Sequence, residues 1–344
     1  MQVAMTGATG HVGANVVRAL LEQGWNVRVL CREDVRAIEG LDVERVRGDV
    51  RDPASLRPLV AGAELVFNLA AHISLEGRAR KGLDVNVIGP RNVAAACLEA
   101  GVRRLVHVSS IHAFDDEPGH GPIDEDRPLV ADPSRPAYGL SKAAGEREID
   151  AAIARGLDAV IVNPTGVIGP HDYKPSRMGN VLASLATGRL PFVPSGGYDW
   201  VDARDVAAGA IAAAHRGVTG RRYLLAGTWA SLGELGMQID QILGRPRRRI
   251  QVPLWTGFLG VPFAAMKARL TGGTPGCTMD SIRVLLGETH VSSARASAEL
   301  GYAPRPQADT LRDILAWQAS PASPFARDLR PLFPAALPAP EVTR

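Results

Sequence analysis

Short apolar runs alternate with amphipathic ones through the first half of the chain. Strand-like runs fall at 2–6 (QVAMT), 27–31 (VRVLC), 43–47 (VERVR), 65–69 (LVFNL), 105–109 (LVHVS) and 159–163 (AVIVN). Helical periodicity occupies stretches between them, notably 12–23 and 87–100. Strand and helix in alternation predict βαβ units and a parallel sheet covered on both faces. The nearly uninterrupted apolar runs at 65–71 and 159–164 suit central strands. Beyond Pro164 the rhythm loosens into a Gly- and Pro-rich stretch, 166–196. Residues 199–215 read as an extended entry into a helix of small residues, and 222–226 as a further strand of the sheet. Residues 229–318 read as mostly helical, and 319–344 as a proline-rich tail on the surface. The expected architecture is therefore α/β. A doubly wound, parallel-sheet Rossmann domain (1–165 with 197–228) carries a smaller, mostly helical C-terminal substrate lobe (166–196 with 229–318).

Composition narrows the function classes. With 46% hydrophobic and 22% charged residues in 344, the chain can build a large core. A formal net charge of +3 and the lack of a lysine-rich run argue against a nucleic-acid partner. Cys31, Cys97 and Cys277 are widely spaced, which predicts neither a disulfide framework nor a zinc site and suits a cytoplasmic, reducing compartment. The eight histidines are scattered with no HxxxH, so no metal is expected. GxSxG is absent, which leaves a serine hydrolase unsupported. The first strand begins at Gln2, so no leader is expected before it. The apolar stretch 252–270 is broken by Pro253, Gly257, Gly260, Pro262 and Lys267; it reads as a lobe over the active site rather than a spanning or membrane-lying helix.

Residues 6–13 read TGATGHVG, directly after the first strand and before the first helix. Gly7 permits a tight turn, Gly10 lets a pyrophosphate approach the backbone, and Gly13 lets helix and strand pack closely. With Thr9, His11 and Val12 between them, these residues offer a helix N-terminus to phosphate. The second strand ends in Cys31 where a carboxylate would favour NAD, and Arg32 follows. A guanidinium suits a 2′-phosphate, so NADP(H) is expected, with Asp34 keeping NAD(H) as the alternative. Tyr138 and Lys142 lie four apart at the start of a helix, so phenol and ammonium share a face. An ammonium near a phenol favours the phenolate, which makes Tyr138 a candidate proton donor and acceptor.

The GxxGxxG turn followed by YxxxK resembles the extended branch of the short-chain dehydrogenase/reductase superfamily, over roughly residues 1–320. The resemblance implies catalysis by Ser110, Tyr138 and Lys142, with Ser110 holding the substrate oxygen and Ser109 as its fallback. It places Asp49 and Val50 on the adenine side and Leu69, Ala70 and Ala71 along the cofactor. Asn86 takes a structural and proton-relay role, and Pro164, Thr165 and Val167 stand beside the nicotinamide. In sugar-nucleotide epimerases and dehydratases an arginine that binds diphosphate stands where this chain has Tyr198. Residues 201–207 (VDARDVA) and 163–179 are more similar to the dihydroflavonol reductase, 3β-hydroxysteroid dehydrogenase and hopanoid-associated epimerase-like group. Ile111 and His112 replace the Asp-Glu pair of the dehydratases. His72, His112, His171, Tyr173, Lys174, Arg177 and Tyr198 are candidates for the substrate end. The expected reaction is interconversion of a small, partly apolar carbonyl compound and its alcohol, with an epimerase holding its cofactor tightly as the runner-up. A silent NADPH-binding regulator is disfavoured because Tyr138 and Lys142 are both retained. The resemblance also allows a homodimer built on 94–100 and 138–149.

Overall fold

The computed structural model describes residues 1–73, 83–116, 121–258, 261, 266 and 290–333. The alternation read from the sequence becomes β1 (Gln2–Thr6), α1 (His11–Glu22), β2 (Asn26–Cys31), β3 (Val43–Arg47), α2 (Pro53–Val60) and β4 (Leu65–Asn68). It continues through α3 (Gly89–Ala100), β5 (Arg104–Val108), α4 (Ala137–Ile153) and β6 (Ala159–Pro164). These strands and β10 (Arg222–Leu225) form one parallel seven-stranded sheet, ordered β10-β6-β5-β4-β1-β2-β3. Val3 of β1 pairs with Val27 on one side and Leu65 on the other, so the strand order reverses at β1. Such a switch point opens a crevice at the carboxyl ends of β1 and β4, where ligands of open α/β sheets bind.

Odd and even positions along the strands face different helices. Val3, Met5, Val29, Phe67 and Val106 join α1 and α6 (Ala203–Arg216) in one core. Ala4, Leu30, Val66, Leu105 and Ile161 meet α2, α3 and α4 in the other. The two layers leave the central strands fully buried, which is why they read as apolar runs.

The second unit packs Ile168, Trp200 and Ala230 against α5 (Arg177–Thr187), α7 (Leu232–Leu243) and α9 (Gln307–Ala319). It is less purely helical than its sequence predicts. β7 (Gly166–Ile168), β9 (Gly197–Asp202) and β11 (Thr228–Ser231) form a three-stranded sheet, and β8 (Phe192–Pro194) pairs with β12 (Ile250–Val252). Residues 197–202, grouped by sequence with the Rossmann part, are thus strand β9 and pair with β7 and β11. α8 (Ala294–Leu300) packs on α6 instead, with Leu300 buried in the Rossmann core.

Residues 320–333 differ from the surface tail expected of them. Phe325 and Leu329, at α10 (Ala326–Leu329), are buried in the lobe's core because these two apolar side chains cap α5. Residues 334–344, Cys277 and most of the apolar stretch beyond Phe258 lie outside the described residues. Among the described residues no helix is long and apolar enough to cross a membrane, and no His, Cys, Asp or Glu group could hold a metal.

Candidate active site

The glycine turn is built by contacts that a side chain would break. Gly7 has φ +73°, and a Cβ there would lie 2.5 Å from the Leu69 carbonyl carbon. A Cβ on Gly13 would lie 2.1 Å from the Gly7 carbonyl oxygen, so this glycine sets how closely α1 approaches the turn. Gly10 is different: it is exposed, and an added Cβ meets only the Gly7 oxygen at 3.3 Å. Its face is open, and the first turn of α1 carries neither a side-chain cap nor an acidic residue. That combination suits an anion, whose charge the free N–H groups and the helix dipole favour.

The loops after β2 and β3 flank the turn. Arg32 is exposed. Asp34 accepts a forked pair of hydrogen bonds from Arg36, Nε to Oδ1 at 3.0 Å and Nη2 to Oδ2 at 2.9 Å. Arg36 holds the Asp34 carboxyl well below the usual carboxylate range. Asp49 and Arg51 repeat this fork, and Arg51 holds the Asp49 carboxyl down at about 2. Val50 is buried beneath.

A row of polar residues crosses the sheet where its central strands end. Thr6 Oγ1 donates to Asn68 Oδ1 at 2.6 Å and accepts from the Ala70 N–H, which fixes the 69–71 loop to β1. Asn68 Nδ2 donates to Nδ1 of His107 at 3.1 Å. Burial first, then the nearby Lys142 and Arg222 charges, hold His107 well below its ordinary pKa and so neutral. On the same face, Asn163 Nδ2 donates to the Ser110 carbonyl at 3.1 Å and to Glu146 Oε1 at 2.6 Å. Arg222 clamps Glu146 and Asp150 with bonds of 2.6 and 2.7 Å. None of these roles was anticipated, although one signal was present in the sequence: Thr6, Asn68, His107 and Asn163 each interrupt an apolar strand near its end.

Ser110, Tyr138 and Lys142 meet beside this row. Ser110 is near the Tyr138 phenol, and its Oγ accepts a hydrogen bond from the His112 N–H at 3.3 Å. Burial pushes the Tyr138 phenol up to about 12, against a lowering influence from Ser110. Lys142 is 3% exposed and donates from Nζ to the Val108 carbonyl at 3.0 Å. Burial brings its ammonium down to about 8, opposed by Glu146. Desolvation therefore raises the phenol where the sequence predicted that the neighbouring ammonium would lower it. Ser109 Oγ is buried with no hydrogen-bond partner among the described residues.

Asn86 sits in a π-helical turn, Asp84–Ile88, a distortion common at functional sites. Its amide accepts from His72 N–H and donates to the His72 carbonyl and to Ser141 Oγ, at 2.8, 2.9 and 2.9 Å. It therefore ties the loop after β4 to α4, and His72 meets it through its backbone.

Two of the substrate-end candidates gather at Tyr138. The His112 ring lies edge-on to Tyr138 at 5.9 Å and stacks on Tyr198 at 5.8 Å, and His112 Nε2 shares a 3.1 Å hydrogen bond with the Tyr198 hydroxyl. Burial keeps His112 below its ordinary pKa and raises that of Tyr198. Trp200 extends this aromatic wall. Pro164 and Thr165 are buried at the end of β6, and the Thr165 hydroxyl donates to Asp199 at 2.6 Å. Val167 is half-buried on β7.

The remaining candidates lie elsewhere. Tyr173 stacks on His171, meets Trp317 edge-on and receives a hydrogen bond from Arg18. Lys174 reaches Thr9 in the glycine turn, and Arg177 is exposed at the start of α5. His11 Nε2 contacts the Gly169 and Pro170 carbonyls at 3.1 Å, so its ring faces that segment.

Residues 3–226 match the model of the NAD dependent epimerase/dehydratase family. The chain is 38% identical over 325 residues to "Sterol demethylase protein B" of Methylococcus capsulatus, covering 92% of this chain and 98% of that one. It is 35% identical to a "Putative dihydroflavonol 4-reductase" of Synechocystis sp., covering 91% and 93%. The solved structure of gox2253 superposes with a TM-score of 0.79 at 34% identity, covering 92% of this chain and 97% of that one. The chain belongs to the NAD dependent epimerase/dehydratase family, in the extended short-chain dehydrogenase/reductase group.

Proposed function

We propose that the protein interconverts a ketone or aldehyde and its alcohol with NADP(H), using Tyr138 as general acid and base. The observation that carries this reading is the buried Lys142, held to the Val108 carbonyl at the end of β5 one helical turn from Tyr138, whose ring meets His112 edge-on beside Ser110. The nicotinamide cofactor, when bound, supplies hydride transfer to or from the substrate carbon. Gly7, Gly10 and Gly13 would hold its phosphates, and the Asn68–Ala71 segment would lie along it.

The side chains then divide the proton work. A phenol at about 12 is protonated near pH 7, so Tyr138 is ready to donate to the oxygen formed when a carbonyl is reduced. Ser110 would orient that oxygen, since the His112 N–H already holds its own hydroxyl. Lys142, at about 8, is mostly protonated near pH 7 and favours negative charge on the phenol in the oxidative direction. Asn163 and Glu146 position the Ser110 backbone.

Substrate class follows from the wall beside Tyr138. His112 stacks on Tyr198, Trp200 lies tilted against it, and the Tyr198 hydroxyl is turned to His112. Tyr198 stands where sugar-nucleotide epimerases and dehydratases have their diphosphate-binding arginine, so the site favours an apolar, ring-bearing carbonyl compound over a sugar nucleotide. The names of the relatives, a sterol demethylase protein and a dihydroflavonol reductase, point the same way. Supporting this for NADP(H), Asp34, a carboxylate just beyond β2 that could take ribose hydroxyls, is already forked by Arg36.

The test is a panel of cyclic and aromatic ketones monitored by NADPH absorbance. Turnover that consumes added NADPH supports the reading. A protein that copurifies with NAD(H), needs none added and equilibrates sugar epimers overturns it.

A further inference from the structure

The segment 169–176 leaves β7 and runs back over α1 rather than toward the aromatic wall. Four side-chain contacts fasten it there. His11 Nε2 meets the Gly169 and Pro170 carbonyls, Asn15 Nδ2 donates to the Pro170 carbonyl at 3.0 Å, and Arg18 Nη2 donates to the Tyr173 hydroxyl at 3.0 Å. Arg18 is itself held by the Ala14 and Ala37 carbonyls. The strap therefore has a fixed path, and His171 takes φ +65° within it. Its one flexible cation, Lys174, ends at the glycine turn. Lys174 Nζ donates to Thr9 Oγ1 at 3.0 Å and lies 3.6 Å from Asp34 Oδ2.

That position joins two loops with different duties toward a dinucleotide. The turn and the start of α1 face a pyrophosphate through backbone N–H groups and need no lysine. The residues just beyond β2 face the adenosine ribose, where a carboxylate reads hydroxyls and a cation reads a 2′-phosphate. Lys174 sits against the second group. We propose that Lys174 is a ligand of the cofactor's 2′-phosphate, carried to the adenosine end by this strap and acting with Arg32 and Arg36.

The charges favour this exchange. The Lys174–Asp34 pair is part-exposed on both sides, at 39% and 35%, and such a solvated pair holds its partners only weakly. A phosphate dianion is a stronger partner for an ammonium than a carboxylate already shared with Arg36. Because the backbone is fastened to α1, only the lysine side chain has to move. The strap leads into α5 of the second unit, so the residue that reads the phosphate also links the cofactor site to the substrate lobe.

This inference rests on the NADP(H) reading, and one set of titrations separates the two. Dissociation constants for NADPH, NADH, adenosine 2′,5′-bisphosphate and ADP are measured on wild type, Lys174→Met and Lys174→Arg by fluorescence or calorimetry. Lys174→Met is expected to weaken NADPH and adenosine 2′,5′-bisphosphate about tenfold and to leave NADH and ADP within about twofold. Lys174→Arg, which keeps the charge, is expected to recover most of the loss. Equal losses for all four ligands, or no loss for NADPH, overturn the role of Lys174 while a wild-type preference for NADPH still stands. A wild type that binds NADH as tightly as NADPH overturns the NADP(H) reading, and this inference with it.

Discussion

Gly10 and Gly13 stand three residues apart in one turn, yet alanine at each should fail in a different way. At Gly13 the new Cβ would sit 2.1 Å from the Gly7 oxygen, 2.8 Å from the Gly7 carbon and 2.9 Å from the Ala8 Cα. All three are backbone atoms, so relief requires moving the turn off α1. Overpacking against side chains already costs about 1–3 kcal/mol, so Gly13→Ala should lose at least about 3 kcal/mol. At Gly10 the only neighbour is the Gly7 oxygen at 3.3 Å, and φ −85° is ordinary for any residue. Alanine at an N-cap is worse than glycine by no more than about 1 kcal/mol, so Gly10→Ala should fold nearly as well as wild type. Its methyl would instead occupy the open face where a pyrophosphate approaches. A dinucleotide at 100 times its dissociation constant stabilises the wild type by about 2.7 kcal/mol. A tenfold weaker complex at that concentration gains only about 1.4 kcal/mol. The assay is urea denaturation of wild type, Gly10→Ala and Gly13→Ala, each with and without NADPH, beside a fluorescence titration. If Gly10→Ala folds normally and keeps the full NADPH-dependent gain, the turn is not the phosphate cradle. If Gly13→Ala is as stable as wild type, the packing argument fails.

Tyr138→Phe removes the proton carrier while keeping the ring; turnover should fall at least about a thousandfold, with NADPH affinity within a few-fold, and substantial residual turnover would refute the acid–base role. Arg32→Ala should weaken NADPH much more than NADH in a titration, since only the former carries a 2′-phosphate; equal effects would remove that argument. Lys142 gives a pH signature. Its ammonium drops from 10.5 to about 8 on burial, which costs the folded state about 3 kcal/mol while the group is charged in both states. The cost is full below about 8 and is relieved as pH rises toward 10.5, where the unfolded chain also loses its proton. Lys142→Met should therefore stabilise the cofactor-free protein near pH 7 by about 1–2 kcal/mol, after loss of the bond to Val108. The gain should shrink toward pH 10 in denaturation curves, and a destabilised variant with no pH trend would contradict it.

Much of the Rossmann domain was legible because burial on both faces leaves long apolar runs. The seven large-sheet strands lie within two residues of their sequence positions. The YxxxK pair and the glycine turn were legible for a related reason: each is a local pattern within one element. What escaped is nonlocal. Lys174 and Thr9 are 165 residues apart, and nothing in either segment signals their contact. The Asp34–Arg36 fork needs a loop conformation as well as a spacing. Residues 320–333 looked like surface because of their prolines and polar residues, yet Phe325 and Leu329 are buried in the lobe's core, with Leu332 and Phe333 packed against it. Direction of the Tyr138 shift also escaped, since a spacing places an ammonium near a phenol but is silent on how dry both become.

The polar row explains why that dryness is tolerated. An unpartnered lysine or glutamate in such a core would cost several kcal/mol. Here Glu146 is wholly buried but receives bonds from Asn163 and Arg222, and Lys142 donates to Val108 with Glu146 one turn further along α4. Along the helix Lys142 is followed by two carboxylates, Glu146 and Asp150, and Arg222 binds both of them before the catalytic end is reached. On the other side Thr6, Asn68 and neutral His107 bring no net charge toward Lys142. The arrangement leaves the Lys142 ammonium with one backbone carbonyl and one remote carboxylate, enough to keep it mostly charged near pH 7 and too little to neutralise it. Glu146→Gln tests this division directly: it should lower the Lys142 pKa further, since Glu146 is the group that raises it. The pH at which rate falls on the alkaline side should then move down, with Tyr138 geometry unchanged. An alkaline limb that stays in place would show that Lys142 is held by Val108 alone.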